Sequence, residues 1–230
     1  MRRRNTELRA RVNGELAFEF TETERTSYAG LELFDRYLRG IRFGDLIRTA
    51  FGKAHLGGNF GVVAMVRVLI GLPVVGGRRL EHLKYLASDL LLLRFARVQV
   101  WPTARTMSRW LKRFTIKSVE HLAALNAAVI AQILPRLELR SLTVDVDGTV
   151  VSTGLQVERA ERGYNPHHRK VPSYYPITAH LAETTHVLRV RNRSGNVHDG
   201  KASLGFLREL WRQLAGFSVP SRKLPRQVDS

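Results

Sequence analysis

The spacing of apolar residues changes near residue 140, and this change limits the possible folds more than any other feature of the chain. Between about 27 and 137, apolar residues recur every three or four positions, which is typical of amphipathic helices. From 141 onward, stretches such as SLTVDVD alternate instead, which indicates strands. The sequence therefore predicts an α+β fold, in which a mainly helical N-terminal domain (15–138) precedes a mixed α/β domain (139–230). The basic residues 1–14 are predicted to be flexible.

Proline and the apolar pattern set the expected ends of the helices. The apolar stretch 59–75 predicts a buried helix that ends before Pro73, because proline removes a helix hydrogen bond. Residues 78–96 predict one amphipathic helix with its leucines inward, and residues 119–137 predict another that stops at Pro135.

A basic helix is predicted in the stretch WPTARTMSRWLKRF (101–114), with Thr103 as its N-cap. Its cations are Arg105, Arg109, Lys112 and Arg113, while Met107, Trp110 and Leu111 are on its other face. Such a helix is either a DNA-recognition element or a bundle helix with a solvated basic face.

The net charge indicates the class of partner. The chain has 37 Lys and Arg against 20 Asp and Glu, a formal net charge of +17. This excess favours a polyanion, because binding releases condensed counterions. Nucleic acid is the first candidate, and an anionic membrane surface is the second. The chain has no cysteine, which excludes disulfides and thiolate metal sites.

The sequence does not predict membrane insertion or export. It has no uninterrupted apolar run of roughly 18 residues, the length that a membrane-spanning helix needs. The basic N-terminus is not followed by the apolar core of a signal peptide. We therefore expect a cytoplasmic protein without a membrane partner.

Two carboxylates are predicted to share one face of the strand at 142–147. Because side chains alternate along a strand, Asp145 and Asp147 point to one face, and Leu142, Val144 and Val146 to the other. Two adjacent carboxylates repel each other unless a cation lies between them, and hard oxygen ligands suit Mg²⁺ or Mn²⁺. The alternative is a solvated strand face, or pairing of both acids with nearby arginines.

The stretch DVDGT also matches the opening motif of haloacid-dehalogenase-like phosphatases. In that family, Asp145 would be the nucleophile and Asp147 the general acid. Such phosphatases need a closing pair of acids further along the chain, and no paired acids follow Asp147. This interpretation is therefore the weaker one.

The stretch 159–200, which contains GYNPHHR and PSYYP, resembles bacterial insertion-sequence transposases of the DDE type. The resemblance includes VDVDGT and TARTMSRWLKRF and covers most of 15–215. It implies a ribonuclease-H-like fold, DNA transposition, transposon ends as the partner and Mg²⁺ or Mn²⁺ as the cofactor. It also implies that Asp147 is the first acid of the Asp-Asp-Glu triad, with Asp145 as the second choice.

By the same resemblance, the second acid follows the next helix, where Asp229 lies in the dipeptide DS. The chain offers no position for the third acid, a glutamate on a later helix, so we expect a C-terminally truncated transposase that is inactive alone. It would form a homo-oligomer or a mixed oligomer with a full-length copy. The alternative is a DNA-binding regulator without catalysis, derived from a transposase.

A second group of basic residues surrounds the motif. His167, His168, Arg169 and Lys170 lie in a loop with tyrosines, and Arg191 and Arg193 follow in a predicted hairpin. Such residues can contact backbone phosphates, and the tyrosines can stack on bases. The alternative is a surface loop whose tyrosines pack into the core.

Overall fold

The computed structural model describes residues 26–137, 141–153, 157–163, 165, 170–198 and 200–217. They form two compact units: a helical unit (26–38 with 57–113) and a sheet unit (39–56 with 114–217). The predicted flexible N-terminus lies outside the described residues. The mixed helix and sheet content confirms the α+β class.

The helical unit contains four α-helices and one 3₁₀ helix. They are α1 (Gly30–Gly40), α3 (Gly61–Val74), a 3₁₀ helix (Leu80–Tyr85), α4 (Leu90–Ala96) and α5 (Ala104–Leu111). Apolar side chains at helical spacing form the core of this unit. Val68, Leu83 and Leu92 are completely buried there.

A charged pair lies within this apolar core. Arg67 of α3 is buried and donates to the carboxylate of Asp35 and to the carbonyl oxygen of Phe95. Its guanidinium also lies 4.5 Å from the centre of the Phe95 ring. One turn along α3, a Cβ at Gly71 would lie 2.9 Å from that ring, so glycine permits the close approach of α3 and α4.

Two predictions for this unit were wrong in detail. Residues 78–96 form a 3₁₀ helix and a separate α-helix, because the side chain of Asp89 accepts the N–H of Leu92 and starts α4 there. Helix α3 does not end before Pro73 but includes it in its last turn and ends at Val74. The N–H of Gly77 then donates to the carbonyl of Leu72 just after the helix.

In the sheet unit, helices precede and follow the strands along the chain. They are α2 (Phe43–Phe51), α6 (Ile116–Ile133), a 3₁₀ helix (Leu134–Leu137) and α7 (Ser203–Ala215). Helices α2 and α6, which the predicted division assigns to the helical domain, pack within this unit. The limits of independently folding domains stay a prediction.

The main sheet has three antiparallel strands in the order β1–β4–β5. Strand β1 (Val144–Gly148) pairs with β4 (Ile177–Leu181), which pairs with β5 (Val187–Arg191). The short strands β2 (Val151–Ser152) and β3 (Ser173–Tyr174) form a second, two-stranded sheet. The predicted acidic strand is β1, and the predicted hairpin is formed by β4 and β5.

One face of the main sheet carries the core of this unit. Ile177, Ala179 and Leu181 of β4 point to it and pack with Phe206 and Leu210 of α7. Ile130 of α6 and Leu188 of β5 belong to the same cluster, and Leu142 and Val144 pack against its edge. This arrangement leaves the outward residues of β1 and β4 on the opposite face.

Among the described residues, one helical stretch, Ile116–Leu137, is long and apolar enough to cross a membrane. A single stretch of this kind is weak evidence, because core helices pass the same test. Leu125 and Ile130 are buried in the sheet unit, and His121 packs on the ring of Phe51 at 5.8 Å. The expectations of no membrane partner and of a cytoplasmic location stay predictions.

Candidate metal and nucleic-acid site

The two acids of β1 lie on the same face of the sheet, opposite the buried core. Asp145 is paired with His180 of β4 and Asp147 with Thr178, whereas Val144 and Val146 face Leu181 and Ala179. Both aspartates are exposed to solvent. The predicted orientation of the two carboxylates is therefore confirmed, and their chemical role is a separate question.

His180 is a neighbour of Asp145 that the sequence did not predict. Its Nε2 lies 3.7 Å from Oδ2 of Asp145, and the two side chains are 36% and 55% exposed. The pairing depends on the register between β1 and β4, whose strands are separated by 28 residues of chain. Alternation within VPSYYPITAHL is a signal that His180 points outward, but it does not show which residue lies opposite.

Asp147 is held by the backbone at the end of β1. Its Oδ1 accepts the N–H of Gly148 at 2.8 Å, and the hydroxyl of Thr178 donates to its carbonyl oxygen at 3.4 Å. The N–H of Thr149 donates to the carbonyl of Pro176, so the chain beyond the acid stays attached to the start of β4. These contacts restrict where the carboxylate of Asp147 can point.

Gly148 is required by close packing. A Cβ at this position would lie 2.7 Å from Cζ and from the hydroxyl oxygen of Tyr175, closer than real Cβ atoms approach other atoms. The Asp-Gly pair and the second tyrosine of PSYYP are therefore parts of one structure, although 26 residues of chain lie between Gly148 and Tyr175.

Arg193 holds Tyr175 in place. It is only 8% exposed, and its Nε and Nη1 donate to the carbonyl oxygens of Tyr175 and Lys201 at 3.0 and 3.1 Å. Its guanidinium lies 4.9 Å from the centre of the Tyr175 ring, and the N–H of Tyr175 donates to the carbonyl of Arg193. These contacts describe a buried supporting side chain, and they do not favour the predicted phosphate contact.

Arg191 lies on the side of the sheet that α7 covers. It is paired with Ile177 of the core, and its Nη2 lies 2.6 Å from Oε1 of Glu209 in α7. Burial alone would raise the pKa of Glu209, but hydrogen bonds and charge from Arg191 and Arg189 outweigh it and lower that pKa. Arg191 is thus away from the two aspartates, and it stabilises the packing of the helix.

The GYNPHHR motif is described in part. Asn165 is 4% exposed and donates to the hydroxyl of Ser152 at 2.8 Å, which attaches the motif to β2. A Cβ at Gly163 would lie 1.8 Å from the carbonyl oxygen of Gly195, so these two backbones cross where only glycine fits. Lys170 is exposed, whereas the predicted contacts His167, His168 and Arg169 lie outside the described residues.

The basic helix is α5 of the helical unit, and Thr103 is its N-cap as predicted, accepting the N–H of Thr106 at 3.2 Å. Met107 and Trp110 are buried on its inner side. All four predicted cations are exposed to solvent: Arg105, Arg109, Lys112 and Arg113.

The face of the sheet that carries Asp145, Asp147 and His180, the acid face, meets part of the requirements of a divalent ion. Mg²⁺ commonly takes one or two carboxylates and completes its octahedron with waters and substrate phosphates. Asp145 and Asp147 supply that number of hard oxygen ligands. Within the described ranges, no group of three or more His, Cys, Asp or Glu side chains is placed to hold a metal. The predicted second acid, Asp229, lies outside those ranges.

Comparison with known proteins gives one family. The family described as "Transposase DDE domain group 1" matches residues 9–227, which is most of the chain. No curated protein and no solved structure shows a significant match. The match includes the acidic strand and the basic helix.

Proposed function

The chain belongs to the transposase DDE domain family, and from this premise we propose that it acts in DNA transposition, binding DNA and presenting Asp147 as the first acid of a divalent-metal site. One observation supports the proposal most directly. Asp145 and Asp147 are both exposed on the uncovered face of β1, and the strand ends at Gly148, where the side chain of Tyr175 leaves no room for a Cβ.

In this proposal, Asp147 and Asp145 are the residues that hold Mg²⁺ or Mn²⁺. Such an ion, held by these two carboxylates, would supply Lewis-acid chemistry for the attack of a water or a DNA 3′-hydroxyl on a phosphodiester. The protein's part is to fix the ligands before the DNA arrives. The Gly148 N–H orients one oxygen of Asp147, and His180 restrains Asp145 from the neighbouring strand.

Tyr175 and Arg193 are proposed as positioning residues for Asp147. Arg193 fixes Tyr175, and the Tyr175 ring lies against the backbone of Gly148 directly after the acid. Neither side chain needs to touch DNA in this role. Loss of either side chain would tilt the end of β1 and misplace the carboxylate of Asp147.

A ribonuclease-H-like architecture is the fold we propose for the sheet unit. Three antiparallel strands followed by a helix on one face agree with it. In the part of the chain that is described, β1 pairs only with β4, so its other edge is open to a further strand. The resemblance places the second acid on such a strand, with Asp229 as the candidate.

DNA is the proposed partner, through the exposed cations of α5 and the basic loop that includes Lys170. The net charge of +17 supports a polyanionic partner, and family membership implies DNA. His167, His168 and Arg169 remain candidates for phosphate contacts. The proposed partner sequence is a transposon end, and a homo-oligomer or a mixed oligomer with a longer copy stays a prediction.

A strand-cleavage assay tests this function. The substrate is a supercoiled plasmid that carries the DNA flanking the gene, incubated with the protein and Mg²⁺ or Mn²⁺. We expect the protein to retard this plasmid, and any nicking to disappear in Asp147→Asn while retardation persists. Nicking that survives in Asp147→Asn would remove the residue from its proposed role. Absence of retardation would remove DNA binding itself.

A regulator without catalysis is the second candidate, and one observation favours it. Among the described residues, Asp145 and Asp147 are not part of a group of three His, Cys, Asp or Glu side chains placed to hold one metal ion. DNA retardation by the wild-type protein without nicking, at every concentration of Mg²⁺ and Mn²⁺, would support this candidate. The family match includes DVDGT within a transposase domain, which argues against the phosphatase interpretation.

A further inference from the structure

A cavity of about 300 Å³ lies in the helical unit, between the turn before α3 and the helix α5. The polar and charged groups that line it come from two short segments. They are the turn residues Gly58 and Asn59, Thr106 and Arg109 of α5, and Arg113 just after the end of α5. The lining contains no Asp or Glu. The cavity is therefore a candidate site for an anion.

The spacing along α5 explains why only some of its cations line this cavity. Thr106, Arg109 and Trp110 lie three and four residues apart and so share one face of α5, whereas Arg113 lies in the turn that follows the end of the helix at Leu111. Trp110 is buried and forms an apolar wall, whereas the two arginines are exposed. Arg105 and Lys112 do not line the cavity.

The turn brings backbone close to these guanidinium groups. Gly58 has a φ of +61°, and a Cβ there would lie 3.4 Å from Nη1 of Arg113. Helix α3 begins directly after the turn, at Gly61, and no side chain caps its first N–H groups. The positive end of the 14-residue helix adds to the field of the two arginines.

Charge in this part of the chain is strongly one-sided. Residues 57–113 contain ten Lys and Arg and two Asp and Glu. Among the described residues, Arg109 makes no hydrogen bond or ion pair, so its guanidinium can bind a ligand without first breaking a contact. A planar guanidinium suits a phosphate, to which it can donate two parallel hydrogen bonds.

We propose that this cavity, the phosphate pocket, binds a backbone phosphate of DNA. The proposal rests on the DNA binding proposed above, and it states which residues of the protein contact one DNA phosphate. Phosphate contacts fix the position of a protein on the duplex and do not read its sequence. The pocket would therefore hold the helical unit in one register on the DNA.

Two variants of equal charge test the phosphate pocket. Arg109→Ala removes a pocket cation, and Arg94→Ala removes an exposed cation of the same unit that does not line the pocket. Binding to a DNA duplex is followed by fluorescence anisotropy over a range of salt concentrations. We expect Arg109→Ala to weaken binding roughly tenfold, as for loss of one charge-assisted contact. The slope of log K against log salt should fall by about one.

Arg94→Ala should change affinity much less, and Arg109→Lys should be intermediate because it keeps charge and loses the fork. Circular dichroism confirms that each variant is folded. Equal losses in Arg109→Ala and Arg94→Ala, with the wild-type protein binding DNA, would overturn the pocket and leave DNA binding intact.

Inorganic phosphate separates failure of the pocket from failure of the function. In a titration followed by NMR, the amide signals of Gly57, Gly58 and Asn59 should shift saturably in the wild-type protein and not in Arg109→Ala. These shifts without any DNA binding would refute the proposed function and keep the anion site. No shift at these amides would refute the pocket even if DNA binds.

Discussion

The two faces of the three-stranded sheet are made by the same strands, yet they differ in almost every property. One face carries Ile177, Ala179 and Leu181, which α7 covers and buries. The other carries Asp145, Asp147 and His180, which remain open to solvent. Because side chains alternate along a strand, every second residue can pack in the core while the residues between them stay exposed. If the proposed function is correct, stability and function depend on different positions of the same strands.

The largest expected effect comes from the covered face. Phe206 is completely buried in the core of the sheet unit, so Phe206→Ala should lower the free energy of unfolding by about 3–5 kcal/mol. Trp211→Ala on the same helix is the matched control, because Trp211 is 73% exposed. Urea denaturation measures both. A small loss in Phe206→Ala, or an equal loss in the control, would contradict the assignment of this face as the core.

The next effect lies at the junction of the two faces, where Gly148 follows Asp147. Gly148→Ala places a methyl group within 2.7 Å of the Tyr175 ring, so we expect a loss of about 1–3 kcal/mol from overpacking. The double variant Gly148→Ala with Tyr175→Ala should recover part of it, as coupled neighbours do. Strict additivity of the two losses in denaturation experiments would mean that the residues do not touch.

A smaller effect is expected from the ion pairs that fasten α7 to β5. The pKa of Glu209 is lowered from its usual 4.5 by Arg191 and Arg189, in spite of burial. A lowered pKa in the folded state gives stability that is present above pH 4.5 and is lost as the pH falls through the folded value. Glu209→Gln should therefore cost about 1 kcal/mol or less near neutral pH. Unfolding curves at several pH values should show the cost disappearing in acid, and a cost independent of pH would exclude the ion pair as its source.

The smallest effect on stability is expected on the acid face. Asp147→Asn removes one of two neighbouring negative charges and keeps an oxygen that can accept the Gly148 N–H. The free energy of unfolding should change by no more than about 0.5 kcal/mol, as for exposed positions. A loss comparable to that of Phe206→Ala would show that the acid serves the fold, and would erase the contrast between the faces.

Local patterns in the sequence were enough to predict much of this contrast. Alternation in SLTVDVD placed both aspartates on one face, and the family match confirms the resemblance to DDE-type transposases. Thr103 was found as an N-cap because capping depends on a few adjacent residues. The single helix predicted across 78–96 was wrong, because the apolar pattern alone does not show that Asp89 caps the start of a new helix.

Contacts between distant segments were beyond local patterns. The register that sets His180 opposite Asp145 depends on strands far apart in the chain. Arg193 is buried against Tyr175 and Lys201, whereas the local sequence predicts an exposed arginine there. For the same reason, the partnership of Arg191 with Glu209 was missed.

The central claim is that the acid face binds a divalent ion through Asp147. Binding of Mn²⁺, followed by electron paramagnetic resonance, tests this claim most directly. Asp147→Asn and Glu158→Gln each remove one negative charge, and Glu158 is 89% exposed and lies outside β1. The account predicts that Mn²⁺ binding to the wild-type protein is kept in Glu158→Gln and lost in Asp147→Asn. Equal binding by Asp147→Asn and the wild-type protein would contradict it.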